Sequence, residues 1–168
     1  MPQPNPKPTI ILASGSWYPA RSFDPLAQIL HSHGYTTKSI AWPSITCAEE
    51  IKDLSEDIAA LRALVEPEVQ AGRDVVVVAH SWAGLPVNSG LGGLLAKRVS
   101  SSAEGNEGGN GKEGGKGKSK GGVVKLLFIA AFVPEIGQSL VSTFGGGGGV
   151  VCQGCMPVPL SLCSKWSG

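Results

Sequence analysis

A run of four valines, from Val75 to Val78, leads directly into Ala79-His80-Ser81-Trp82-Ala83-Gly84. A continuous β-branched run is typical of a strand buried on both faces, as in a parallel sheet covered by helices. The apolar segment that follows, from about Trp82 to Arg98, is long enough for a helix. The sequence therefore predicts that a buried strand turns sharply into a helix at Ser81.

Ser81 has a small residue two positions away on each side. This resembles the G-x-S-x-G pattern of a nucleophile elbow, in which small residues let the neighbouring backbone pass close to a serine on a strained turn. Ala79 and Ala83 occupy the two glycine positions, and alanine is the next smallest side chain. We interpret Ser81 as a candidate nucleophile; the alternative is a serine that only caps a helix after a buried strand.

A second buried strand is predicted near the N-terminus, at Thr9 to Ala13, and the loop Ser14-Gly15-Ser16-Trp17-Tyr18 follows it. In a serine hydrolase built this way, the loop after this strand supplies one backbone N–H of the oxyanion hole, and the residue after the nucleophile supplies the other. The candidates are Ser16 and Trp82, and Gly15 would allow close approach of the backbone to a bound oxygen. An ordinary strand-to-helix loop is the alternative.

Strands and helices are predicted to alternate along the chain. Strands are expected at about 9–13, 36–41, 74–79 and 123–131, and a first helix at about 23–33 with Phe23, Leu26, Ile29 and Leu30 on its apolar face. A capping box at Thr46–Glu49 is expected to open a second helix, which Pro67 should kink or end and Gly72 should close. Alternation of this kind predicts an α/β fold: a parallel sheet with right-handed crossovers in a three-layer α/β/α arrangement.

Composition divides the chain into segments. Residues 1–8 carry alternate prolines and are expected to be a flexible N-terminus, and residues 9–144 to form a partial domain. Within it, residues 100–122 hold nine glycines and four lysines and are expected to be a disordered insertion. Residues 145–168 show no period and are expected to be an irregular tail.

Taken together, the elbow, the first strand with its loop, and Ala130-Ala131-Phe132-Val133-Pro134 resemble the α/β-hydrolase family, and its small esterase-like members most. The resemblance extends from about Thr9 to Phe144 and implies a serine hydrolase acting on a carboxylic ester or related acyl compound. Ser14 stands where the family usually has histidine. The resemblance also implies that the chain is truncated after the fourth core strand, without the C-terminal strands and helices. The strand at 123–131 would then be a hydrophobic edge.

The family's triad has the order Ser, then Asp or Glu, then His. All three histidines and all four aspartates of this chain lie at or before position 80, so the triad is incomplete after Ser81. His80 is expected to be a packed structural residue, and Glu135 is the candidate acid. Without a base a serine is a poor nucleophile at neutral pH. Whether the chain is an active enzyme therefore stays open, and the alternative is a catalytically inactive fragment or a small-ligand binding module.

Charge and cysteine content exclude several other classes. The formal net charge is +1, which gives no global attraction to nucleic acid or to an anionic membrane, and no apolar run is long enough to span a bilayer. Cys152 and Cys155 form a lone C-x-x-C without further ligands, so neither a metal nor a cofactor is expected. A cytoplasmic protein whose partner is a small-molecule acyl substrate or ligand is the expectation. Neither the substrate nor the oligomeric state is specified by the sequence.

Overall fold

The computed structural model describes residues 6–46, 51–96, 121–135 and 137–140. Four strands form one sheet in the order β2-β1-β3-β4: β1 is Thr9–Ala13, β2 Thr36–Ser39, β3 Val75–His80 and β4 Val123–Ile129. Every neighbouring pair is parallel, and the register between β1 and β3 aligns Thr9 with Val75 and Ala13 with Ala79. These pairings confirm the predicted parallel sheet. Its two central strands, β1 and β3, are rich in β-branched residues, as is typical of a sheet covered by helices on both faces.

Helices cover both faces of the sheet. The helices are α1 (Asp24–Ser32), α2 (Pro43–Thr46), α3 (Ser55–Gln70) and α4 (Gly84–Gly90), with short 3-10 turns at Ala20–Phe23 and Ser81–Ala83. Successive strand residues point to opposite faces, so Ile11, Val75 and Val77 pack with α3 and α4, whereas Ile10, Leu12 and Val78 pack with α1. The described residues thus form the three layers that the alternation predicts.

The second long helix begins later than predicted. The capping box at Thr46 does not open it: Thr46 ends α2, residues 47–50 lie outside the described part, and α3 begins at Ser55. Local side-chain bonds explain the start, because the Asp53 carboxylate accepts the Ser55 N–H at 2.7 Å and the Glu56 carboxylate accepts the Asp53 N–H at 3.4 Å.

Two predicted helix ends also differ from the structure. α3 continues through Pro67 to Gln70, because Val69 packs on the core and Glu68 is fixed by ion pairs, and Gly72 closes it with a φ of 76° as expected. The helix after Ser81 ends at Gly90 instead of near Arg98. Arg62 donates to the carbonyl oxygen of Gly90 at 2.7 Å, which satisfies a free C-terminal carbonyl of α4.

The buried face of α1 differs in part from the predicted one. Phe23, Ala27 and Leu30 pack on the sheet, while Ile29 is 57% exposed. Phe23 and Leu30 of the predicted stripe thus pack as expected, whereas Ala27 replaces Leu26 and Ile29 and gives an i, i+4, i+7 spacing.

β4 lies at one edge of the described sheet, and several of its apolar side chains face solvent. Leu127 is 40% exposed, Phe128 36% and Ile129 51%. The predicted hydrophobic edge is therefore present among the described residues. Gly121 and Gly122, the last residues of the predicted insertion, are buried; residues 100–120 and 145–168 lie outside the described part. None of the helices described here has both the length and the apolarity to cross a bilayer.

Candidate functional site

The loops after all four strands meet at one edge of the sheet, because parallel strands place their carboxyl ends on the same side. β1 is followed by Ser14–Tyr18, β2 by Ile40–Trp42, β3 by Ser81 and β4 by Ala130–Phe132. The sequence candidates Ser16, Ser81, Trp82 and Glu135 all follow one of these strand ends. This edge is the candidate site.

Ser81 occupies a strained turn between β3 and α4. Its φ is 55°, in the left-handed region that residues other than glycine rarely adopt, and a 3-10 turn begins at the same residue. The carbonyl oxygen of Ser81 accepts the Phe132 N–H at 3.1 Å and also a bond from the Gly84 N–H. Because a trans peptide directs its N–H opposite to its C=O, these bonds fix the direction of the Trp82 N–H.

Gly15 packs directly against Ser81. A β-carbon built on Gly15 would lie 2.8 Å from Cβ of Ser81 and 3.1 Å from Nδ1 of His80. Real β-carbons do not approach so closely, so only glycine fits here without a shift of one of the two loops. This packing brings the loop after β1 to the side of Ser81. The expected approach of the Gly15 backbone to a bound oxygen stays a prediction.

Ser14–Tyr18 forms a tight turn that orients Ser16. The Tyr18 N–H donates to the Gly15 carbonyl at 3.3 Å, and Trp17, with a φ of 65°, has the positive φ that a type II turn requires at this position. The Ser14 hydroxyl donates to the Tyr18 carbonyl at 2.9 Å and closes the turn further. Since the Gly15 carbonyl is held on one side of its peptide, the Ser16 N–H is directed to the other.

Trp82, the residue after Ser81, is half-buried, and its ring meets that of Trp42 edge-on, with centroids 5.6 Å apart at 90°. Trp42 itself is buried at the end of β2. Sequence patterns did not identify Trp42 or Gly84 as parts of the site, because both act through contacts between segments that are distant along the chain.

His80 points away from Ser81, to the α1 side of the sheet, as strand alternation requires. Its ring packs edge-on against Tyr18 with a centroid separation of 6.4 Å. Both side chains line an open cavity of about 300 Å³, together with Ser14, Ser22 and Phe23. The cavity therefore adjoins the candidate site on the α1 side, and Ser81 does not line it.

The other two histidines lie at the opposite edge of the sheet. The Nε2 atom of His31 is 2.7 Å from the hydroxyl of Thr37 near the start of β2, and the His33 carbonyl accepts a bond from Lys7, which precedes β1. Neither is placed at Ser81.

Glu135 lies on the loop after β4 with an exposed side chain. Its N–H donates to Oε1 of Gln138 at 3.1 Å, and the neighbouring Pro134 carbonyl accepts a bond from Asn88 on α4 at 3.2 Å. The first bond lies within the loop, and the second holds the loop against α4. In the described part of the chain, no group of three or more His, Cys, Asp or Glu residues could hold a metal ion.

A family model of the α/β-hydrolase family matches residues 10–151. The α/β hydrolase nvfD of Aspergillus novofumigatus is 25% identical over 134 residues, which are 80% of this chain and 47% of that protein. The "Probable hydrolase R7" of a Phoma species is 26% identical over 142 residues, 83% of this chain and 49% of that protein. The chain thus spans about half the length of the curated relatives it matches.

A solved structure shares the fold. It is an extracellular α/β-hydrolase from a Paenibacillus species that shares structural and functional homology with tobacco Salicylic Acid Binding Protein 2. The TM-score is 0.54 at 17% identity, over 81% of this chain and 46% of that one. With a family model matched over most of its length and a parallel sheet flanked by helices, the chain belongs to the α/β-hydrolase family.

Proposed function

We propose that this chain carries the nucleophile and the oxyanion donors of a serine hydrolase that acts on a carboxylic ester or a related acyl compound. The observation that supports this most is the φ of 55° at Ser81, on a turn against which the Gly15 backbone packs. A left-handed conformation costs a serine roughly 1 kcal/mol or more and persists where the surrounding structure enforces it, often at functional sites.

In the proposed reaction, Oγ of Ser81 attacks the acyl carbon and the carbonyl oxygen becomes an oxyanion. The N–H groups of Ser16 and Trp82 would bind this oxyanion. Each belongs to a peptide whose carbonyl oxygen is already held, that of Gly15 by the Tyr18 N–H and that of Ser81 by the Phe132 N–H. Donors fixed before the reaction need no reorganisation as charge develops, which is why such groups lower the barrier by several kcal/mol.

The proton of the Ser81 hydroxyl needs an acceptor. No histidine or aspartate follows Ser81, and His31 and His33 lie at the opposite edge of the sheet. The proposal therefore assigns nucleophile and oxyanion donors to this chain and the general base to a group outside it. Glu135 is the candidate acid in this scheme, on the strength of its place after β4.

The alternative is a catalytically inactive α/β-hydrolase-like module that binds a small ligand. It is favoured by the missing histidine and aspartate and by the cavity beside His80. Losing the serine or the histidine of a triad costs on the order of a million-fold in turnover, so this alternative predicts a folded protein with an unreactive Ser81.

The experiment is intact-mass measurement after incubation with a fluorophosphonate. Reaction joins phosphorus to Oγ of Ser81, and fluoride leaves with the hydroxyl proton. Because this chain supplies no general base, slow formation of one adduct is expected on the wild type and on Ser32→Ala, a control at an exposed serine outside the site, and none on Ser81→Ala. A folded wild-type protein that gains no adduct would refute the proposal and favour the inactive module.

A further inference from the structure

Trp42 lies between the two segments that carry the proposed oxyanion donors. It is 1% exposed and lies three residues after the end of β2. The neighbouring strand β1 ends in the Ser14–Tyr18 turn, and β3, on the far side of β1, ends at Ser81. A large side chain from β2 that reaches both loops is unexpected in a sheet of order β2-β1-β3, because β1 separates it from β3.

The first contact is polar. Nε1–H of the Trp42 indole donates to the Ser14 carbonyl at 2.8 Å, and this bond is buried. Ser14 is 2% exposed, so without the indole its carbonyl would lose a hydrogen bond where water is largely excluded. The bond fixes the peptide that joins Ser14 to Gly15, and therefore the start of the turn that orients the Ser16 N–H.

The second contact is apolar. The Trp42 ring meets the ring of Trp82 edge-on at 5.6 Å, a favoured geometry for an aromatic pair. Trp82 supplies the other proposed oxyanion donor through its backbone N–H. The Trp42 side chain thus contacts both segments that would flank a bound oxyanion. It bonds to Ser14, which begins the turn after β1, and it packs against Trp82, which follows Ser81.

Trp42 is itself held firmly. Its carbonyl oxygen accepts the N–H groups of Ile45 and Thr46, both at 3.0 Å, and Pro43 restricts its backbone. The next residue, Ser44, donates its N–H to the buried Asp57 carboxylate on α3 at 3.1 Å. The indole therefore projects from a segment anchored to the body of the fold.

We infer that Trp42 is a positioning residue for the oxyanion donors: its indole N–H and ring set the separation between the Ser16 and Trp82 backbones. This inference rests on the proposed function of the site. It assigns Trp42 no contact with the substrate, so its loss should slow the chemical step without weakening the first binding of a reagent.

The test compares Trp42→Phe with the wild-type chain. Phenylalanine keeps an aromatic ring beside Trp82, removes the N–H that holds Ser14, and also removes part of the buried indole volume. We expect the limiting rate of Ser81 phosphonylation to fall about tenfold, less than the ~10²–10³ lost when an oxyanion donor is removed outright, while the concentration for half-maximal rate stays unchanged. The control is Tyr35→Phe, which also removes one polar group from an aromatic side chain but lies just before β2, at the opposite edge of the sheet, and should leave both values unchanged.

Amide hydrogen exchange on the same proteins separates failure of this inference from failure of the proposed function. Trp42→Phe should speed exchange about tenfold at the Tyr18 amide, which is bonded to the Gly15 carbonyl, and leave Leu61 to Val65 in α3 unchanged. Unchanged exchange in the turn, equal acceleration in α3, or an unaltered phosphonylation rate would each overturn the inference. If the wild type takes no label, the proposed function has failed, and exchange alone then decides whether Trp42 holds the turn.

Discussion

The backbone of Phe132 crosses α4 at Gly84, so closely that a β-carbon on Gly84 would lie 2.0 Å from the Phe132 carbonyl oxygen. Phe132 in turn donates its N–H to the Ser81 carbonyl at 3.1 Å. The absent side chain at Gly84 therefore lets the segment after β4 reach the peptide that follows the candidate nucleophile. No side-chain rotation can relieve a clash here, because the crowded atoms belong to the backbone.

Gly84→Ala is accordingly expected to lower the free energy of unfolding by about 3 kcal/mol, at the upper end of what overpacking costs. Urea denaturation followed by circular dichroism measures it. Gly92→Ala is the control, since a β-carbon there meets nothing within 4 Å and should change stability by less than about 1 kcal/mol. Equal effects of the two substitutions would show that the crossing at Gly84 can relax.

Gly15→Ala tests the contact between the first loop and Ser81. The new methyl group would press on Cβ of Ser81, so we expect a loss of about 2 kcal/mol in stability and of any fluorophosphonate labelling. In a Ser81→Gly background, which removes one of the two crowded carbons, the cost of Gly15→Ala should fall by about half. Costs that simply add would mean that the two residues do not touch as described.

Glu68 should make stability fall in acid. Its buried carboxylate binds Arg73 at 2.6 Å, Lys38 at 2.8 Å and the Thr9 hydroxyl at 2.7 Å, and these partners, Arg73 foremost, lower its pKa from 4.5 to about 2. The folded chain thus binds this proton less tightly than the unfolded one. The stabilisation is complete above about pH 4.5 and is lost as the pH falls toward 2.

The expected loss is about 2 kcal/mol, less than the full pKa difference implies, because Lys38 and Arg73 are 35% and 50% exposed and solvent screens them. Unfolding free energies measured from pH 7 to pH 2.5 should show this dependence in the wild type and lack it in Glu68→Gln. Glu66→Gln on the same helix breaks an exposed pair with Arg62 and should cost less than about 0.5 kcal/mol. A wild-type-like pH dependence in Glu68→Gln would contradict the assignment.

Asp57 should behave in the opposite way. Burial raises the pKa of its carboxyl above 3.8, so ionisation is disfavoured in the folded chain and the charged form reduces stability at neutral pH. Asp57→Asn keeps an oxygen that can accept the Ser44 N–H and removes the charge. We expect it to stabilise the protein by up to about 1 kcal/mol at pH 7 and to bring no gain near pH 3.

Glu56→Gln is the control for Asp57→Asn, because it removes a charge from the same end of α3 at a carboxylate that is not buried. Glu56 lies on the same first turn of α3, is exposed, and has a lowered pKa because its carboxylate accepts backbone N–H groups. Its substitution should therefore destabilise the protein at pH 7. If both substitutions destabilise equally, the charge on Asp57 is favourable and burial is not the dominant effect.

The strands could be predicted from the sequence because hydrophobic runs determine them locally. Thr9 to Ala13 are all buried, as are Val75, Val77 and Val78, and the order of the two runs along the chain, with helical segments between, indicates a parallel sheet. The turn at Ser81 was also predictable, since small residues flank a serine between a strand run and a helix. The start of α3 and part of the buried side of α1 were not, because neighbouring elements and local side-chain bonds determine both.

The contacts within the site depend on segments that are far apart in sequence. Gly84 looks like an ordinary glycine until the Phe132 backbone is placed over it, and Trp42 looks like an ordinary loop aromatic until its indole meets Ser14. No periodicity or motif encodes such pairs. They follow from the topology, which must be known first.

The parallel register of β1 and β3 determines whether Gly15 lies beside Ser81. Ala13 lies beside Ala79, so Gly15 reaches Ser81 by continuing both strands by two residues. A slip of one residue would shift Gly15 by about 3.3 Å along the sheet and turn its neighbours to the other face. If Ser81 proves reactive, the labelled fraction after refolding would count the molecules whose two central strands have paired correctly, and so serve as a chemical assay of misfolding.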